Sequence, residues 1–344
     1  MRVSVPPVVA CLPAADCKAR SFLLQLAPDF EVLEFIDSGS QANLNACMHA
    51  TDYDGKKIAV AAGTYLSTLQ ASPLNRFRVH QQVEQGWGQR VTQLRQAIPT
   101  ADPERSPCRS LYLPYMADCL LQGRGGIQLL EEAETAALTQ LKQLLHEGTK
   151  CLLIELVCSA TGFSLRKSCL DELVSTLHGA GAFLVVDEIL TAGRCSSDHL
   201  LLSDHLELKA DYVTLGKFTR SGIILKRCGV REAPRSVLAP GSGGVSGSAT
   251  LKHTAEALGM MADAIMDKAL DVESARKGML LHLQKYAPDT GLVHWGMGAM
   301  VFANIAEDRP ETWVGRYLPL VHIKDHKSIP IQLDRFAARP TRPT

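Results

Sequence analysis

Apolar positions in the central part of the chain alternate between short continuous runs and stretches with helical spacing. Near-continuous apolar runs are typical of strands that are covered on both faces of a sheet. They predict strands at Val32–Ile36, Lys57–Ala62, Ser110–Tyr115, Lys150–Val157, Gly181–Ile189, Ala210–Leu215 and Gly222–Leu225. Residues 128–147 and 168–179 carry apolar side chains at helical spacing instead. The alternation predicts an α/β fold with a mostly parallel central sheet flanked by helices.

The pattern changes after Pro240, where a segment rich in glycine and serine precedes a predicted long helix at Ala249–Leu270. Strand-like pieces follow at Leu292–Ile305 and Leu318–Ile323. We therefore predict a short N-terminal segment (1–30), a large α/β domain (31–250), a small C-terminal α+β domain (251–338) and a frayed tail (339–344).

Composition narrows the class of protein. Among 344 residues, 36 basic side chains balance 36 acidic ones, which argues against binding nucleic acid or an anionic membrane by bulk charge. Ten cysteines without a C-x-x-C pair predict reduced, mostly buried thiols, and the histidines have no metal-ligand spacing. We expect a cytoplasmic protein, although Arg2, Lys18 and Arg20 leave organelle targeting as an alternative.

An acidic residue and a lysine follow two neighbouring predicted strands. Asp187 lies near the C-terminal end of the run Gly181–Ile189, and Lys217 comes after Ala210–Leu215 and a glycine. Ligands of open α/β sheets bind at the carboxyl ends of the strands, and a lysine desolvated there is a usable nucleophile. The alternative is that Asp187 caps a turn and that Lys217 is solvated.

A third element is a cluster of small residues at the start of a predicted helix. Ser38, Gly39 and Ser40 follow the strand Val32–Ile36, and free backbone N–H groups at a helix start can bind phosphate. Pyridoxal phosphate (PLP) needs amide donors for its phosphate, a carboxylate for its pyridine nitrogen and an amine for its aldehyde. The three elements together meet those needs.

The same segments resemble class-III aminotransferases, which are fold-type I PLP-dependent enzymes. LVVDEILTAGR (Leu184–Arg194) is similar to the family's D-E-V-x-T-G-x-G-R, and KADYVTLGK (Lys209–Lys217) to its P-D-x-V-T-L-G-K. SGSQAN (Ser38–Asn43) is similar to S-G-S-E-A-N, and Ile154–Leu156 to a strand end that carries E-P. The resemblance extends over roughly residues 33–270.

The resemblance implies a role for each matched residue. Lys217 would form the internal Schiff base and move the proton, Asp187 would pair with the pyridine nitrogen, and Ser38, Gly39 and Ser40 would bind the phosphate. Tyr65 matches an aromatic that stacks on the cofactor ring, and Ser246 matches a phosphate contact from a neighbouring subunit in a homodimer. Glu155 lies inside an apolar strand, where an unpaired carboxylate is costly; we expect it beside the cofactor or in an ion pair.

Several departures from the family pattern keep other functions open. Leu190 replaces a glutamine that contacts the cofactor's phenolic oxygen, and fewer residues precede Ser38 than in the family. The leading hypothesis is transamination between an amine or amino acid and a keto-acid or aldehyde acceptor. The alternatives are another PLP reaction (racemase, aminomutase or decarboxylase), an inactive relative that binds or regulates, or an incomplete chain. Arg316 and Arg335 are the candidates for binding a substrate carboxylate.

Overall fold

A seven-stranded mixed sheet forms the centre of the protein. The computed structural model describes residues 14–52, 54–61, 108–115, 123–158, 162–230, 247–286, 293–305 and 313–317. The sheet order is β1-β7-β6-β5-β4-β2-β3, and its strands are β1 Phe30–Ile36, β2 Ile58–Ala61, β3 Arg109–Leu111, β4 Cys151–Glu155, β5 Phe183–Asp187, β6 Tyr212–Leu215 and β7 Gly222–Arg227. Only β7 runs against its two neighbours, so the predicted mostly parallel sheet is confirmed.

The central strands are buried along almost their whole length, as their continuous apolar runs indicate. Every residue of β2, β4 and β6 is buried. All seven predicted strands exist, although the prediction for Ser110–Tyr115 is too long, because strand structure ends at Leu111. The parallel order brings the carboxyl ends of β4, β5 and β6 side by side: Glu155 pairs in register with Asp187, and Asp187 with Thr214.

The described residues form the α-helices α1 Ala14–Leu26, α2 Gly39–Ala50, α3 Gly123–His146, α4 Lys167–Gly179, α5 Leu202–His205, α6 Ser248–Met266 and α7 Val272–Tyr286. The first four contact the main sheet. The predicted helix Ala249–Leu270 is too long. It ends at Met266 because Lys268 takes a left-handed backbone (φ 51°), and the Ala269 and Leu270 amides both donate to the Ala264 carbonyl. Such a turn satisfies the last carbonyls of a helix and stops it. The pattern did not predict α1, α5 or α7.

A second sheet of three antiparallel strands, β8 Val293–Trp295, β9 Val301–Ile305 and β10 Trp313–Tyr317, comes from the C-terminal part of the chain. β8 and β9 lie within the predicted Leu292–Ile305, whereas Leu318–Ile323 falls outside the described residues. α6 packs against α1, and its buried side joins the apolar core of the main sheet. The proposed domain boundary near residue 250 stays a prediction.

Candidate active site

Asp187 ends β5, and its carboxylate is held by two donors. The side chain is buried. The Ile189 amide donates to Oδ1 over 2.9 Å, and the Asn43 side-chain amide donates to Oδ2 over 2.7 Å. A carboxylate held on both oxygens has a fixed orientation, and lone pairs remain for a third donor. Asp187 therefore offers a fixed acceptor at the carboxyl edge of the sheet.

The electrostatic surroundings of Asp187 disfavour its charge. Burial raises the pKa of the Asp187 carboxyl to about 7, with a further contribution from the charge of Glu155 on β4. The two hydrogen bonds and the charge of Lys217 oppose that rise. Glu155 itself is buried, and the Tyr115 hydroxyl donates to its backbone carbonyl over 2.7 Å. A cation placed next to Asp187 would restore the ionised form.

The start of α2 provides a group of backbone N–H donors at the same edge. Ser38 caps the helix, and its hydroxyl accepts from the Gln41 amide over 3.2 Å. Gly39 and Ser40 are the first two helical residues. The packing behind this turn is tight, because a Cβ on Gly222 of β7 would lie 2.3 Å from the Ser38 carbonyl oxygen. The helix start can therefore bind a phosphate, and β7 fixes its position.

Lys217 begins the turn that follows β6. It has a left-handed backbone (φ 59°) and an exposed side chain. Buried hydroxyls hold this turn in place. The Thr254 hydroxyl of α6 donates to the Thr219 carbonyl over 2.7 Å and contacts the Ser221 hydroxyl at the same distance. Left-handed residues other than glycine are uncommon and need support from their surroundings. The turn therefore presents the lysine amine at the edge where Asp187 lies.

Ile189 fills the space between the start of α2 and the end of β6. A Cβ on Gly39 would lie 2.4 Å from Ile189 Cδ1, and a Cβ on Gly216 would lie 3.2 Å from Ile189 Cγ2. Only glycine at position 39 permits this approach without a shift of the isoleucine. Ile189 thus forms an apolar surface between the candidate phosphate site and the lysine.

Glu188, the next residue after Asp187, has a structural environment. It is fully buried and accepts hydrogen bonds from Thr191, from the Leu202 amide and from both the amide and the hydroxyl of Ser203. These bonds tie the end of β5 to the start of α5. Leu190 is buried as well, and it has no polar group to offer a ligand.

The structure brings Ser38, Gly39, Ser40, Glu155, Asp187 and Lys217 to the ends of neighbouring elements. Tyr65, Ser246 and Arg335 lie outside the described residues, as does the side chain of Arg316. Sequence reasoning missed Asn43, Thr214 and Ile189. The available signal was weak: Asn43 and Thr214 are polar residues at positions where the surrounding pattern is apolar or small.

Three anchors of different chemistry thus lie together: helix N–H donors, a buried carboxylate and a lysine amine. They fit PLP, whose phosphate, pyridine nitrogen and aldehyde need these three groups. Among the residues that the structure describes, no cluster of three or more His, Cys, Asp or Glu side chains is suited to hold a metal ion. Across the same residues, none of the helices has the length and apolar character of a membrane span.

Comparisons with known proteins agree with this chemistry. The family model for class-III aminotransferases matches residues 7–320. A search of curated proteins finds no match. Among solved structures, the chain resembles lysine aminotransferase from M. tuberculosis in the internal aldimine form (TM-score 0.59, 15% identity, 86% of this chain and 68% of that one). It also resembles a β-phenylalanine aminotransferase from Variovorax paradoxus (TM-score 0.56, 20% identity, 87% of this chain and 61% of that one). A third similar structure is N-acetylornithine aminotransferase from Stenotrophomonas maltophilia (TM-score 0.55, 15% identity, 87% of this chain and 66% of that one).

Proposed function

The chain belongs to the class-III aminotransferase family, a family of PLP-dependent enzymes, and from that premise we propose that Lys217 and Asp187 are its catalytic residues. The cofactor supplies an electron sink that stabilises negative charge at the substrate carbon next to the amine. The observation that carries the proposal is the register of the sheet, which sets the end of β5 beside the end of β6. The acid and the lysine thereby come to one edge.

Lys217 Nζ is proposed as the amine that would condense with the cofactor aldehyde with loss of water. Once the substrate amine has displaced it, the free lysine amine would carry a proton to and from the substrate carbon. The fixed turn supports both tasks, because it holds the lysine at the edge where Asp187 lies. The Lys217 side chain is exposed, and not desolvated as the sequence pattern predicts. Asp187 is proposed to accept a hydrogen bond from the protonated pyridine nitrogen. Its burial supports that role, because an ion pair is worth more where water is excluded.

The remaining binding residues surround these two. Ser38, Gly39 and Ser40 are proposed to hold the phosphate through the start of α2, and Ile189 to contact the ring. Glu155 is proposed to lie beside the cofactor, since its charge already reaches Asp187. Tyr65 and Ser246 keep their roles as ring and phosphate contacts by resemblance alone.

We further propose an amine or amino acid as donor and a keto acid or aldehyde as acceptor, in a homodimer of the cytoplasm. The resemblance supports a homodimer, because the family's phosphate contact at the position of Ser246 comes from the neighbouring subunit. No described side chain identifies the donor. In the family pattern a glutamine at the position of Leu190 contacts the phenolic oxygen of the cofactor. Because the leucine side chain has no polar group, we propose that this oxygen has no polar partner at position 190.

The test is the covalent attachment of the cofactor. We expect the wild-type protein, loaded with PLP and freed of excess, to show a visible absorbance band that borohydride bleaches. Mass spectrometry should then find the reduced cofactor on Lys217. Lys217→Ala should lose the band, and Lys209→Ala, a change of an exposed lysine eight residues earlier, should retain it. Retention of the band in Lys217→Ala would contradict the assignment, and a wild type that binds no cofactor would favour the inactive or incomplete alternatives.

A further inference from the structure

Asn43 lies in the middle of α2, yet its side chain is only 2% exposed. Its Nδ2 donates to Asp187 Oδ2 over 2.7 Å. On its other side, the buried hydroxyl of Thr214 donates to Asn43 Oδ1. A buried asparagine in a helix is unfavourable unless its amide is fully used, and here both ends of the amide are bonded.

The direction of these bonds follows from the groups themselves. An ionised carboxylate only accepts hydrogen bonds, so the asparagine must turn its NH₂ group towards Asp187. The carbonyl oxygen then faces Thr214, whose hydroxyl can donate. The opposite orientation would set the Asn43 oxygen against a carboxylate oxygen. Thr214 therefore fixes the orientation of Asn43, and Asn43 fixes the orientation of Asp187.

This chain of bonds joins the three elements that carry the cofactor anchors. Asn43 is one helical turn after Gly39 on α2, Asp187 ends β5, and Thr214 lies on β6, three residues before Lys217. A single side chain thus sets the acid relative to the phosphate end and to the strand that leads to the lysine. We propose that Asn43 is a positioning residue that favours the ionised form of Asp187 and aims it at the pyridine nitrogen of PLP.

The inference rests on the proposed function, because it assigns Asn43 a task towards the nitrogen that Asp187 is proposed to bind. Asp187 is disfavoured as an anion by burial and by Glu155, and a donor to a buried anion counteracts both. Without Asn43, one carboxylate oxygen would lose its donor and the group could rotate. Binding of the ring nitrogen should then suffer, while binding of the phosphate and aldehyde should not.

The experiment measures the equilibrium dissociation constants of two ligands for the apoprotein. One is PLP, and the other is an analogue in which carbon replaces the ring nitrogen while phosphate and aldehyde remain. We expect Asn43→Ala to weaken PLP binding by roughly 10- to 100-fold, the range for a lost hydrogen bond to a charged group. Binding of the analogue should change by less than about threefold, since the phosphate and aldehyde contacts remain.

A second pair of variants tests the same chain without touching Asn43. Thr214→Val removes the orienting hydroxyl and should reproduce the selective loss, whereas Thr214→Ser keeps a hydroxyl and should restore wild-type PLP binding. The matched controls are Asn45→Ala on the same helix and Thr191→Val, which removes a buried hydroxyl that contacts Glu188 instead. Both controls should bind the two ligands as the wild type does.

Two results would overturn the inference. Unchanged PLP binding in Asn43→Ala and Thr214→Val would show that Asp187 needs no such support. Equal weakening of PLP and of the analogue would assign Asn43 to the packing of α2 alone. Failure of the proposed function looks different, because the wild type itself would then bind no PLP or would show no preference for PLP over the analogue.

Discussion

Asp187 and Glu188 are consecutive buried acids, but they face different surroundings. In the described part of the chain, Glu188 accepts four hydrogen bonds, at 2.6 to 3.0 Å. Asp187 accepts two, from Asn43 and Ile189. A carboxylate has about four acceptor positions, so Glu188 is saturated by the protein itself, whereas Asp187 keeps capacity for a ligand.

The difference separates an acid that the fold satisfies from one that we propose binds a ligand. Glu188 connects the end of β5 to α5 and needs nothing further. Asp187 lies beside Glu155, and burial raises its pKa to about 7, so a cation placed next to it would favour its ionised form. Perturbed, incompletely satisfied acids of this kind are typical of functional sites, and the pyridinium nitrogen of PLP is such a cation.

The largest effect should come from removing the charge of Asp187. Asp187→Asn keeps the shape of the side chain but leaves the pyridinium without its anion, and losing one partner of a buried ion pair costs about 3–5 kcal/mol. We expect the affinity for PLP and the rate of the half-reaction with an amine donor each to fall by roughly 10³-fold. Equilibrium binding and the decay of the visible band measure the two quantities.

The matched control for that change is Asp171→Asn, an exposed acid on α4 that pairs with Lys167. It should leave both quantities unchanged. If Asp187→Asn bound PLP within about threefold of the wild type, Asp187 would resemble Glu188 in having only a structural task.

The stability of the apoprotein should depend on pH through Asp187. Its pKa rises from an ordinary value of 3.8 to about 7 in the folded protein. The folded state therefore keeps a proton that the unfolded chain releases above pH 4. The stabilisation is fully present below pH 4 and is lost as the pH rises through 7, by on the order of 4 kcal/mol at most. Urea unfolding of the apoprotein at intervals from pH 4 to pH 8 measures it.

Asp187→Asn supplies the decisive comparison, because an amide does not titrate in this range. The variant should lose most of the decline in stability between pH 5 and pH 8 and should equal or exceed the wild type at pH 8. An unchanged decline in the variant would mean that other groups carry it and that Asp187 is ionised without a ligand.

The contrast between the two acids also marks what sequence could predict. The position of Asp187 and Lys217 at one edge of the sheet is predictable, because each comes at the end of a continuous apolar run and a parallel sheet aligns the ends of such runs. The strands were predictable for the same reason. Asn43 was not, because its partners Asp187 and Thr214 are 144 and 171 residues away, and nothing local distinguishes a bonded buried asparagine from a solvated one.

Helix ends were predicted less well than strand ends. The pattern of α6 continues to Leu270, whereas the helix stops at Met266, where a left-handed lysine at position 268 takes the chain into a turn. A lysine carries no local signal for that backbone, unlike a glycine. The number of donors around Glu188 was equally hidden, since they come from the loop and from α5 rather than from its own strand.

The smallest of the three effects should come from changing Glu188, the acid whose hydrogen bonds are all made within the protein. Glu188→Gln replaces one accepting oxygen by an NH₂ group, which must then face donors from Leu202 or from Ser203. Unsatisfied buried donors cost about 1–3 kcal/mol each, so we expect the free energy of unfolding to fall by about 3 kcal/mol. PLP affinity, measured well below the unfolding temperature, should stay within about threefold of the wild type, because the donors to Asp187 are untouched. Urea unfolding and cofactor titration of the same preparation give both values. A variant as stable as the wild type would contradict the structural role of Glu188. A variant that loses PLP while remaining folded would contradict the assignment of cofactor binding to Asp187 and not to Glu188.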